Sequence, residues 1–114
     1  NQPIELDACD KIIDYLYIDD FCTYVSHLVT NKSSGVYNIS SGYRYHLRDV
    51  VQEIHKLVGN NNPISFAAAE GMLKWICGDN SKIVHESKQT PSNDFLTGIT
   101  KTINFYINEA PNNN

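Results

Sequence analysis

The sequence predicts an α/β fold in which short strands alternate with helices, and three observations carry that expectation. Apolar residues recur at helical spacing in separate stretches, most clearly Val50, Val51, Ile54, Leu57 and Val58. Brief β-branched or aromatic runs at residues 4–6, 15–18, 36–39 and 64–66 lie between them, bounded by turn-forming residues. The two patterns take turns along the chain, which is the order of an α/β protein. The strands are too few and too short for a self-sufficient doubly wound sheet. The chain is therefore expected to form the end of a larger α/β protein.

Each element has a local reason. Asn1-Gln2-Pro3 leads directly into Ile4-Glu5-Leu6, whose alternation reads as a strand. So abrupt a start is expected of a segment cut from something longer. Residues 7–11 are polar and turn-like, and the aromatic, β-branched residues 15–18 favour a second strand. Asp19 and Asp20 offer an N-cap to a helix with Phe21, Tyr24, Val25, Leu28 and Val29 on one face. Loop residues 31–35 stop that helix, residues 36–39 form the next strand, and Ser40-Ser41-Gly42 closes it.

The helix built on Val50 to Val58 runs into Gly59, where a left-handed stop is expected. Residues 60–63 form a turn and 64–66 a strand. Residues 67–78 have no clean period and read as loop. Asp79 is placed to cap a short helix carrying Ile83 and Val84, and residues 89–93 loop around Pro91. Asp94 caps the last helix, with Phe95, Ile99, Ile103 and Tyr106 in one apolar stripe. Residues 111–114 are expected to be a disordered tail.

Composition narrows the class of function. Hydrophobic residues make up 41% and charged residues 19%, which excludes wholesale disorder. A net charge of −4 without a basic stripe argues against a nucleic-acid partner. No apolar run approaches the roughly 18 residues of a membrane span, and no signal-peptide pattern is visible. Cys9, Cys22 and Cys77 are an odd number at wide spacing, which fits reduced thiols in the cytoplasm better than a zinc site. His27, His46, His55 and His85 form no metal-ligand spacing and read as surface or capping residues.

Three strings stand in a fixed order: Asp14-Tyr15-Leu16-Tyr17-Ile18-Asp19-Asp20, Gly35-Val36-Tyr37-Asn38-Ile39-Ser40-Ser41-Gly42, and Asp79-Asn80-Ser81-Lys82. A fourth, Phe95-Leu96-Thr97-Gly98-Ile99-Thr100-Lys101-Thr102-Ile103-Asn104-Phe105-Tyr106, follows. Together they resemble the C-terminal part of an extended short-chain dehydrogenase/reductase, from residue 3 to residue 106. That family comprises NAD-dependent nucleotide-sugar epimerases, dehydratases and 4-keto reductases. His46-Leu47-Arg48-Asp49 stands where relatives carry a Ser-Leu-Arg-Asp/Glu helix start, so histidine occupies the capping slot. Histidine is the poorer cap, and this helix start should be weaker.

The resemblance implies a Rossmann-like enzyme of which residues 1–110 are the substrate-side segment. The intact enzyme would use NAD(P), act on a nucleotide sugar in polysaccharide precursor synthesis, and reside in the cytoplasm. The segment itself carries no cofactor-binding or catalytic residue: its six glycines form no dinucleotide fingerprint, and no tyrosine has lysine four residues on. The resemblance makes Tyr15 and Leu6 candidates to line the nucleotide. Two family arginines that pair with the substrate diphosphate are replaced, one by Ile13 and one by Ala69. Each lost charge-assisted bond should cost roughly 1.5–3 kcal/mol. Lys11, Lys74 or Arg44 could supply the missing charge, the substrate could differ, or the activity could have drifted.

A different class of function also fits: a non-catalytic binding or oligomerisation module derived from the same family. Either way, a segment shaped against a larger sheet should expose an apolar face and self-associate, as a homodimer for example. Tyr43-Arg44-Tyr45 reads as aromatics packed on a neighbouring domain rather than as a base-stacking site. Asp19-Asp20 reads as capping rather than a carboxylate pair. Trp75 either covers a substrate pocket or anchors its loop to the core.

Overall fold

Two small sheets, not one, organise the chain in the computed structural model, which describes residues 2–109. In order the elements are β1 (Ile4–Leu6), β2 (Lys11–Ile13), α1 (Ile18–Thr30), β3 (Tyr45–His46), α2 (Leu47–Val58), β4 (Ile64–Phe66), β5 (Lys74–Ile76), α3 (Ser81–Ser87) and α4 (Phe95–Asn104). A π-helical turn, Phe105–Glu109, follows. β1 pairs in parallel with β4, Ile4 opposite Ile64 and Leu6 opposite Phe66. β2 is the centre of the other sheet, antiparallel to β3 and parallel to β5. Short strands and helices do alternate, and both parallel pairs are joined through helices, as an α/β chain requires. Residues 110–114, with the expected segment boundary and tail, lie outside the described residues.

Several expectations shift when long-range partners decide. The strand expected at residues 15–18 lies at 11–13 instead, and Ile18 already begins α1. Asp14 N–H still donates to the Ile76 carbonyl at 3.2 Å, but then its carboxylate turns to Ser41 and Gly42 and the ladder ends. Residues 36–39 are not a strand. Val36 is 85% exposed, its carbonyl accepts from Lys82 Nζ at 2.8 Å, and the Ser40 carbonyl accepts from Asn80 Nδ2 at 3.0 Å. Side chains around the start of α3 thus take the place of a strand partner. Conversely, residues 67–78 contain a strand, β5, which exists because β2 offers it a parallel edge.

The helix ends sort into local and distant determinants. Gly59 closes α2 at φ 73°, a left-handed conformation that suits glycine. His46 does occupy the capping slot: its Nδ1 accepts from Arg48 N–H at 3.3 Å. Asp19 and Asp20 do not cap α1. The N-cap is Tyr17, without a side-chain cap bond, and both acids sit inside the first turn, where the helix dipole favours them. Asp79 is likewise one residue early. Asn80 is the N-cap of α3, while Asp79 Oδ1 accepts from Ser81 N–H at 3.0 Å.

Burial is sparse. Among the described residues, Tyr24, Val50, Ile83 and Cys9 are the buried apolar ones, so the face expected on α1 narrows to Tyr24 with half-buried Val25 and Leu28. Phe21 and Val29 are exposed, and Tyr106 leaves the α4 stripe for the π-helical turn. The Cα radius of gyration is 17.0 Å, against about 13 Å for a compact domain of this length. The described residues form an open scaffold. No helix among them is long and apolar enough to cross a membrane.

Asp94 caps α4, accepting from Thr97 N–H at 2.8 Å, and that bond holds its carboxyl below the ordinary 3.8. Hydrogen bonds similarly lower Asp79 through the Ser81 hydroxyl, Asp7 through Cys9, and Glu86 through the Tyr37 hydroxyl. A depressed carboxyl contributes stability that is complete above its unfolded value and is lost as pH falls through the folded one. The thermal midpoint should therefore drop on acidification below the ordinary 3.8 for Asp and 4.5 for Glu. Asp94→Asn should start lower and fall less steeply in calorimetry at pH 6, 4 and 3. Parallel acid profiles for the two proteins would contradict this account.

Candidate functional site

A hollow with a mixed polar and apolar lining lies beyond the carboxyl ends of the parallel pair β1 and β4, where such strands open a crevice. It measures about 370 Å³. One wall is the loop Asp7 to Asp10, the other the chain from Ala67 to Met72, and Lys11 and Lys74 stand at its edge. These lysines are the opposed first residues of β2 and β5, so parallel register places both side chains on one face. Like charges directly opposite disfavour strand pairing. Among the described residues, no carboxylate lies within ion-pair distance of either one.

The Asp7–Asp10 loop is held in a particular shape. Cys9 N–H donates to Asp7 Oδ1 at 2.7 Å, and Cys9 takes φ 48°, a left-handed conformation unusual for a non-glycine residue. Burial pushes the Cys9 thiol up, with the Asp7 carboxylate adding to the effect, so it stays protonated at neutral pH. The hollow thus sets two cations, Lys11 and Lys74, among three carboxylates, Asp7, Asp10 and Glu70.

A larger hollow, about 590 Å³, is apolar and aromatic. Tyr45 stacks on Phe95 with ring centroids 4.5 Å apart, and Tyr15 lies 6.4 and 6.3 Å from the two rings. Burial raises the hydroxyls of Tyr15 and Tyr45, so neither is poised to act as a base. Two carboxylates fasten its walls. Asp14 accepts from Ser41 N–H, Ser41 Oγ and Gly42 N–H at 2.8, 2.6 and 2.9 Å. Asp20 accepts from the backbone of Ser92 and Asn93. Gly98 faces Tyr17 closely: a Cβ there would come within 3.1 Å of Tyr17 Cβ.

The structure brings Lys11 and Lys74 together but separates them from the other two candidates. Tyr15 lines the aromatic hollow. Leu6 lies in β1, half-buried opposite Phe66, and its carbonyl accepts from Ala67 N–H at 3.0 Å. Ile13 is paired on both sides, with Tyr45 and Ile76. Arg44 is engaged elsewhere, its guanidinium carbon 4.4 Å from the centroid of Trp75. Trp75 itself is a strand residue, 58% exposed, so it does not anchor a loop to the core. Tyr45, expected in an outward-packing loop, lies in β3 and packs within the chain on Phe95. The Asp7–Cys9 turn escaped sequence reasoning because only its backbone shape distinguishes it.

Two of the strand-to-helix junctions lack the glycine of a dinucleotide turn. The pyrophosphate needs a glycine-rich turn from strand into helix. Here the β2–α1 junction is Asp14-Tyr15-Leu16-Tyr17, without glycine, and β3 runs directly into α2. Among the described residues, no group of three or more His, Cys, Asp or Glu is arranged to hold a metal ion. Cys9, Cys22 and Cys77 are free thiols.

The fold is that of one part of a Rossmann-like extended short-chain dehydrogenase/reductase, and the comparisons with known proteins agree. The chain is 28% identical over 113 residues to the dTDP-glucose 4,6-dehydratase of Escherichia coli, which covers 87% of this chain and 31% of that enzyme. It superimposes on the Thermus thermophilus UDP-glucose 4-epimerase, solved with NAD, with a TM-score of 0.75 and 17% identity, over 95% of this chain and 36% of that one. A GDP-6-OMe-4-keto-L-xylo-heptose reductase from C. jejuni gives a TM-score of 0.76 and 16% identity, covering 96% and 35%. No protein-family model matches the chain. The resemblance drawn from the strings is thus borne out, and the chain spans about a third of the length of these relatives.

Proposed function

We propose that this chain is the substrate-side segment of an NAD(P)-dependent nucleotide-sugar epimerase, dehydratase or 4-keto reductase, and that Lys11 and Lys74 receive the substrate diphosphate. The observation that carries the reading is their register: two opposed cations on one face, neither within ion-pair distance of a carboxylate among the described residues, although Asp7 feels the charge of Lys11. Relatives named for a dTDP sugar and a UDP sugar support the substrate class. On this reading the cofactor and catalytic groups belong to other parts of the enzyme. Lysine is a point charge rather than a planar fork, so the diphosphate is held with less geometric precision than by arginine.

A titration with UDP and dTDP followed by amide NMR tests this. Shifts should map to residues 7–11 and 67–74 and weaken as salt rises. Lys11→Gln and Lys74→Gln should each weaken binding about tenfold, the worth of one charge-assisted bond. Both should fold at least as well as the parent, since each removes a like-charge neighbour. Unchanged affinity in both variants would rule the lysines out. The second reading, an interaction module without a small ligand, is favoured by the exposure of Val36, Met72 and Ile76. On that reading neither nucleotide binds at any salt concentration.

A further inference from the structure

Arg48, in the first turn of α2, reaches both walls of the lysine cleft. Its Nε donates to the Ala8 carbonyl at 2.6 Å and its Nη2 to the Ala67 carbonyl at 3.3 Å. Its guanidinium carbon lies 5.0 Å from the Phe66 ring centroid. Ala8 belongs to the loop leaving β1 and Ala67 to the loop leaving β4, the two sides between which the hollow opens. His46, the N-cap of α2 two residues earlier, adds a parallel tie. Its Nδ1 accepts from Arg48 N–H, which leaves the ring proton on Nε2 to donate to Asp10 Oδ1 at 2.9 Å.

One planar fork satisfying two carbonyls from separate loops fixes their separation, because the guanidinium donors are rigidly placed. With two donor groups so engaged, Arg48 is not the group that takes up an anion. We infer that Arg48 is a positioning residue: it sets the gap between the cleft walls, and through the Ala8 side it places Cys9, Asp10 and Lys11 relative to Lys74. The ligand part of this inference rests on the lysine-cleft reading proposed above; the wall spacing does not.

Cys9 is a built-in reporter of that spacing, buried in the wall that Arg48 ties down, while exposed Cys22 on α1 serves as reference on the same molecule. Iodoacetamide labelling at one pH, quantified by peptide mass spectrometry, gives the Cys9/Cys22 rate ratio. Arg48→Ala should raise it about tenfold, and Arg48→Lys less, because an ammonium can restore one of the two ties. In the same proteins UDP affinity should fall about tenfold in Arg48→Ala and recover in part in Arg48→Lys. An unchanged Cys9 ratio in Arg48→Ala overturns the proposal, as does a rise matched by Cys77, which would mean general loosening. Raised Cys9 reactivity with unaltered UDP affinity overturns the link to the lysines. If the parent protein fails to bind UDP while Cys9 responds as described, the lysine-cleft reading falls and the wall tie stands.

Discussion

Replacing Asp20 by alanine should lower the thermal midpoint by roughly 10–15 °C, from about 3 kcal/mol of lost stability at about 4 °C per kcal/mol. Asp20 is 5% exposed, an unusual place for a carboxylate. No cation pairs with it within the described residues; donors compensate it instead. Ser92 and Asn93 N–H reach it at 2.9 and 3.2 Å, and Asn93 Nδ2 lies 3.3 and 3.2 Å from its two oxygens. Its place in the first turn of α1 adds the favourable end of the helix dipole. Alanine would leave two backbone donors in a partly buried loop with no acceptor. Buried donors without acceptors cost more than the bonds themselves were worth.

Asp20→Asn should fall between the two, because an amide presents donors to donors on one of its sides. Lys101 Nζ, which holds Asn93 Oδ1 at 2.7 Å, keeps the loop from detaching entirely. The same loop walls the aromatic hollow, so near-ultraviolet circular dichroism from Tyr15 and Tyr45 should weaken along with stability. Calorimetry showing Asp20→Ala within a degree or two of the parent would mean that water replaces the carboxylate without penalty.

Asp20 also marks the boundary between what sequence reasoning reaches and what it does not. Its position beside Asp19, ahead of an apolar stripe, is a capping pattern, yet its partners lie 72 and 73 residues away. Asp14 is similar, bonding across 27 and 28 residues to Ser41 and Gly42. Elements whose cause is local were legible: α2 with its glycine stop, Asp94 on α4, and the alternating β1 and β4. Elements whose cause is a distant edge were not. β5 forms because β2 is beside it, and residues 36–40 stay out of a ladder while Lys82 takes the carbonyl of Val36 and Asn80 that of Ser40. The lysine pair shows both sides at once. Each lysine could be singled out by its nearness to a vacated arginine position, but their opposition depends on a strand that carries no periodic signal.

Ile83→Ala should be the other severely destabilising change, at about 2–5 kcal/mol, the range for emptying a buried aliphatic site. Ile83 is 0% exposed, and it and Tyr24 are the largest fully buried side chains described. α3 is seven residues long, too short to persist on propensity alone, so burial of this side chain is what keeps it helical. Its surface in turn carries the anchors of the preceding loop. Lys82 holds the Val36 carbonyl, and Glu86 receives Ser33 Oγ at 2.7 Å together with the Tyr37 hydroxyl. Loss of α3 should therefore release residues 33–40 at the same time, and amide hydrogen exchange should show both segments losing protection together in Ile83→Ala. Ile83→Val, which removes one methylene, should cost only about 0.5–1.5 kcal/mol and leave that coupling intact. If the alanine and valine proteins were equally stable, the site would have collapsed around the smaller side chain, and the loop anchors rather than Ile83 would be what holds α3 in place.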